Sequence, residues 1–202
     1  MNFRALLITA TCLFAIASST LAESLPADHP TAAIVKQYLE AVVKQDWKTA
    51  ADMLLPVSLE RRRTQMIASI KNSNTMTEEA AKLNMLGVKD TGELEKMTPQ
   101  QAYVADREAV HQRMKISPEN LKRKQETLKI TILGLVSEEG GKIIHAVVRT
   151  KQDTTEVTIE ELLLISLTVD KADAKKWHIV PDMQQAITTP LAAAAAATSL
   201  PK

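Results

Sequence analysis

The chain carries four histidines, His29, His111, His145 and His178, widely spaced along it. No two stand at the spacing with which a helix presents a pair of zinc ligands. Glu108-x-x-His111 has the i, i+3 spacing of half a di-iron carboxylate site. A whole site needs a second copy and further glutamates, and no second copy occurs. No Gly-x-Ser-x-Gly turn exposes a nucleophilic serine. Five glycines leave little from which to build a phosphate-binding loop. The expectation is no metal, no cofactor and no assignable catalytic set.

A weaker constellation remains, and its members are the ligand-binding candidates: His145, Arg149, Glu160 and Trp177. A carboxylate beside a hydrogen-bond donor can do general acid–base work once burial shifts its pKa. Glu160 or Glu161 would be the base and His145 the donor. Trp177 would supply an aromatic pocket wall, with His178 a donor at the rim. Plainer readings stand beside these. His145, Arg149 and Glu160 also suit cross-strand ion pairing on an exposed face. Trp177 also suits core packing, with His178 turned to water.

The elements that must position these residues change type part-way along the chain. Asp28-His29-Pro30 reads as a capped helix start, followed by Val35, Tyr38, Leu39 and Val42 at helical spacing. Asp46 can cap a short helix that Pro56 stops, and Ser58 can cap the next, with Leu59, Met66 and Ile70 inward. Residues 77–85 suit a further helix closed by Gly87. Thr98-Pro99 opens another, with Tyr103, Val110 and Met114 toward the core, and Ser117-Pro118-Glu119 repeats that signal. From Leu128 onward the period becomes two. Ile143 to Gln152, Val157 to Val169 and Trp177 to Val180 read as strands joined by short turns, an antiparallel meander. Helices followed by strands imply an α+β fold with helices covering one face of a sheet.

In the simplest register, His145, Val147 and Arg149 share a face with Ile130, Ile132, Glu160 and Leu162. Ala146, Val148, Ile159, Glu161 and Leu163 then share the other. A one-residue slip exchanges the faces, so the His145 face is either a pocket wall or the solvent side.

The first 22 residues have the form of an export signal: Arg4, an apolar run from Ala5 to Ala17, and Thr20-Leu21-Ala22 for cleavage. The run is shorter than the roughly 20 residues a spanning helix needs. A periplasmic or secreted location follows. Cleavage removes Arg4 and no acid, so the formal charge of +1 falls to zero. It also removes Cys12, the only cysteine, and with it any disulfide or thiolate site. Neutral charge argues against nucleic acid, and the basic runs Arg61-Arg62-Arg63 and Lys122-Arg123-Lys124 read as solvated helix faces. The expected organisation is a signal over 1–22, a linker over 23–27, one domain over 28–183 with a helical region at 58–120, and an alanine-rich tail over 184–202.

The opening helix, the segment QDWKTAADMLLP from Gln45 to Pro56 and the long-stranded meander resemble the NTF2-like (cystatin-like) superfamily. The residues that carry the likeness are Asp46-Trp47, Ala50-Ala51 and Leu54-Leu55, and it spans roughly residues 28–183. The chain looks most like exported members rather than any named enzyme. The resemblance implies a curved sheet wrapped around the first helix, a cone with an apolar pocket. Residues 58–120 hold more helix than a minimal member needs, and would cap or fill the mouth of that cone. The function expected is a non-catalytic binding module for a small apolar ligand or a protein partner, with a homodimer through the outer sheet face among the partners. An isomerase or dehydratase using a pocket carboxylate and histidine is the alternative, and a purely structural or assembly role a further one.

Overall fold

A computed structural model describes residues 22–138, 140–181 and 185–187. The export signal and most of the alanine-rich tail lie outside the described residues. The described chain is α+β, with helices first and most of the sheet after. In order, the elements are β1 (Glu23–Leu25), α1 (Pro30–Lys44), α2 (Trp47–Met53), α3 (Pro56–Lys71), α4 (Met76–Leu86), α5 (Thr91–Lys96), α6 (Pro99–Met114), α7 (Pro118–Thr127), β2 (Lys129–Glu138), β3 (Ile143–Asp153), β4 (Thr158–Val169), β5 (Trp177–Ile179) and β6 (Gln185–Ile187). No helix among the described residues is long and apolar enough to cross a membrane.

Most helix boundaries follow the expected chemistry. Thr98 and Gln101 form a reciprocal capping box at α6, each side chain accepting the other residue's N–H. Ser117 caps α7, and Gly87 closes α4 in the left-handed region at φ 69°. A Cβ on Gly87 would also meet Ala109 Cβ at 3.0 Å, so the close approach of α4 to α6 calls for glycine as well. Three boundaries differ from expectation. The cap of α1 is His29, whose Nδ1 accepts the Thr31 N–H at 3.4 Å, and not the Asp28 carboxylate. Pro56 begins α3 rather than only ending α2, which places Ser58 inside the helix and buried. The six-residue helix α5 is additional to the expected elements; Asp90 caps it by accepting the Glu93 N–H at 2.8 Å.

The sheet is antiparallel in the order β1-β2-β3-β4-β5, and β6 also pairs with β4, beside Leu162–Leu164. Glu23–Leu25, expected as linker, is therefore an edge strand on β2, and Gln185–Ile187, expected as tail, is a strand on β4. One face bears Ile144, Ala146, Val148, Ile165 and Leu167, all at most 2% exposed. These residues form one hydrophobic cluster with Val35, Tyr38 and Leu39 of α1, Ala50 and Ala51 of α2, Leu59 of α3 and Tyr103 of α6. Leu54 and Leu55 link the helices to the sheet edge. Leu54 bridges Ile179 in parallel, and the Leu55 N–H donates to the Ile179 carbonyl at 2.8 Å. Met66, Ile70, Val88, Leu94 and Ala102 make a second, smaller core within the helical region.

The expected register holds from the β2–β3 turn back to Gly134, which lies opposite Val147. A bulge between Ile132 and Gly134 then inserts one residue. Ile130 stands opposite Thr150 and Ile132 opposite Val148, on the core face and not on the face of His145 and Arg149. Leu133, the inserted residue, is left exposed. Glu160 and Leu162 do share the face of His145 and Arg149, and Ile159, Glu161 and Leu163 share that of Ala146 and Val148.

Candidate functional site

The four sequence candidates do not converge on one place. Trp177 lies opposite Val169 and so on the core face of the sheet, partly buried against the main cluster. His145, Arg149 and Glu160 lie on the other face. Arg149 Nε donates to Glu160 Oε1 at 3.2 Å, a diagonal cross-strand pair with the arginine side chain 54% exposed. Such a pair contributes about 0.2–1 kcal/mol. Glu160 and His145 do not meet. His145 stands opposite Ser166, six residues along β4 from Glu160, which is roughly 20 Å at strand rise. Glu161 faces the other way, opposite Thr150.

His145 instead sits in a short polar chain. Its Nδ1 lies 2.8 Å from the Ser166 hydroxyl and its Nε2 3.3 Å from Glu138 Oε2. Serine, histidine and carboxylate in this order have the sequence of a nucleophile, its base and an orienting acid, although the Glu138 contact is an ion-pair distance and not a hydrogen bond. Accessibility decides against that role, because Ser166 is 0% exposed. A fluorophosphonate that modifies activated serines is expected to leave the protein's intact mass unchanged; a stoichiometric adduct on Ser166 would reverse this reading.

His178 does not turn to water beside a buried Trp177, as the sequence suggests it would. It is buried at 1% exposure, and its Nε2 bonds Asp170 Oδ2 at 2.8 Å. Asp170 is held below the usual carboxylate range, first by the Ala172 N–H and then by His178. His178 Nδ1 is buried with no hydrogen-bond partner among the described residues. No group of three or more His, Cys, Asp or Glu among the described residues is arranged to hold a metal ion.

One concave feature with a mainly apolar lining lies among the helices. The end of α1, the start of α2, the second half of α6, α7 and the end of β3 enclose an open cleft of about 230 Å³. Val42, Val43, Trp47, Val110, Met114, Ile116 and Leu121 supply its apolar wall. Gln45, Arg107, His111, Lys124 and Gln152 supply the polar groups, and no aspartate or glutamate is among the described residues lining it. Met114, expected in the core, is 62% exposed at this cleft. Met114 lies almost in line with the buried Tyr103, three turns back, but it is the last residue of α6 and falls beyond the last buried position, Ala109.

Local chemistry fixes the cleft walls. The helix α1 ends at Gln45 in the left-handed region, φ 60°, and this reversal brings Asp46 into place to cap α2 through the Thr49 N–H at 3.1 Å. Trp47 is therefore the first residue of α2 and faces the cleft. The carboxyl of Asp46 is lowered by Thr49, its hydroxyl first and its N–H second. The opposite wall, α7, is tied at several points. Asn120 Oδ1 accepts the Thr155 N–H at 2.8 Å and its hydroxyl at 2.9 Å, and Thr127 Oγ1 accepts the Asp153 N–H at 2.8 Å. Gln125 donates to the Val43 carbonyl at 3.4 Å.

Arg107 also belongs to a charged cluster whose other members, Arg62 and Asp106, line a separate concavity beside α3 and α4. Asp106, side chain 8% exposed, accepts from Arg62 Nη2 at 2.7 Å and from Arg107 Nε at 3.0 Å and Nη2 at 2.6 Å. The Arg107 guanidinium also lies 5.9 Å from the centre of the Tyr103 ring. Burial, and then the neighbouring Tyr38, raise the Tyr103 phenol well above its usual value. No family model, curated protein or solved structure matches the chain.

Proposed function

We propose that the protein is an exported, non-catalytic binding module of NTF2-like shape that takes a small apolar ligand. The observation that carries the reading is the cleft among α1, α2, α6 and α7, with its wall of aliphatic side chains and Trp47. Ligand sites of this kind combine an apolar lining with a few placed polar groups, and this one lies just below their usual size range, which suits a small ligand. The NTF2-like shape is supported by the single cluster that α1 shares with the core face of the antiparallel sheet. The separate core inside the helical region fits helices added beside the cone rather than poured into it.

The test is uptake of a neutral apolar dye, Nile red, by the mature chain. Saturable fluorescence enhancement is expected, weakened at least fivefold by Met114→Asp, a substitution at an exposed position that places a charge at the cleft. Absence of uptake, or uptake indifferent to that substitution, would overturn the reading.

A protein partner has an observation of its own. Val147, Leu162 and Leu164 are half-buried apolar residues on the sheet face away from the core, and a second copy could pair there. Sedimentation at rising protein concentration distinguishes a dimer from a monomer.

A further inference from the structure

We infer that the cleft selects an apolar anion, an alkyl or aryl carboxylate, with its tail against Trp47 and Val110 and its head at Arg107, His111 and Lys124. The inference rests on the binding reading above and adds the charge of the ligand. Three side chains at the cleft can carry positive charge, and no carboxylate among the described residues lines it. Lys124 forms no ion pair among the described residues, while Lys122 on the same helix pairs with Glu126. Arg107 shares the single carboxylate of Asp106 with Arg62, which lies outside the cleft, so that carboxylate does not neutralise both guanidiniums. A cationic ligand would meet like charges there, and a neutral one would gain only the apolar wall. The small volume and open side favour a short chain, and the flexible thioether of Met114 can close over it.

The full mature chain would be titrated with octanoate, octan-1-ol and octylammonium at low salt, following the Met114 methyl and His111 ring signals by NMR. Octanoate is expected to saturate these signals at a concentration at least fivefold below octan-1-ol, with octylammonium weakest. Lys124→Gln should cut the preference for octanoate over octan-1-ol by threefold or more while leaving octan-1-ol unchanged. Equal binding of octanoate and octan-1-ol would overturn the charge selection and leave the apolar cleft standing. Failure of all three to move either signal would overturn the binding reading together with it.

Discussion

Asp106→Ala is expected to lower unfolding free energy by about 2–3 kcal/mol, most of it because positive charge stays behind without a partner. The carboxylate is nearly buried and is the one acid that both Arg62 of α3 and Arg107 of α6 reach. Removing one member of a fully buried pair costs about 3–5 kcal/mol, because the partner stays desolvated and unpaired. Here both guanidiniums keep some exposure to water, at 41% and 31% of the side chain, so part of that penalty is relieved by rehydration. Arg62 Nε has no partner even in the intact cluster among the described residues, which leaves it little alternative bonding when the carboxylate goes. Arg62→Met should cost less, about 1 kcal/mol, because Asp106 retains Arg107. Urea unfolding followed by circular dichroism measures both. A loss below about 1 kcal/mol for Asp106→Ala would mean that the carboxylate does not tie α3 to α6.

This cluster also marks the limit of what the sequence discloses. Arg62 and Asp106 are 44 residues apart, and nothing local to either announces the pairing. Arg61-Arg62-Arg63 looks like a solvated run because a helix sends three consecutive side chains in different directions, and only the register of α3 on α6 turns Arg62 toward Asp106. The cleft is hidden for the same reason. Its residues come from five separate elements, and its shape depends on where α7 is pinned by Asn120 and Thr127. What is legible is local. Thr98-Pro99, Ser117-Pro118 and Gly87 each act on their own helix end, and each boundary falls where its chemistry places it. The α+β order and the long strands are legible in the switch of period. The reversal at Ile130 and Ile132 does have a local signal: Gly134, a lone glycine within a strand pattern, marks a bulge. Two further readings are overridden, the first by a partner across the β4–β5 turn and the second by the neighbouring residue. His178 is buried because Asp170 satisfies one ring nitrogen, and Asp28 yields the cap of α1 to His29.

The same one-residue sensitivity makes the sheet faces testable. Leu167→Ala is expected to cost about 3 kcal/mol and Leu164→Ala about 1 kcal/mol, although the two leucines are three residues apart on one strand. Leu167 is 0% exposed and stands between Ile144 on β3 and Ile179 on β5, on the face that meets α1. Truncation there leaves a cavity that rigid neighbours on both sides cannot collapse to fill, so the transfer and cavity contributions add. Leu164 stands opposite Val147 on the other face and is only half-buried, so the site loses partial burial and gains no enclosed void. A slip of β4 by one residue would exchange these roles, putting Leu164 in the core and Leu167 outside. Equal losses, or a greater loss at Leu164, would therefore remove the register that places Trp177 on the core face and His145, Arg149 and Glu160 on the other. The ratio of the two losses is the quantity to read, since a scale error common to both measurements cancels in it.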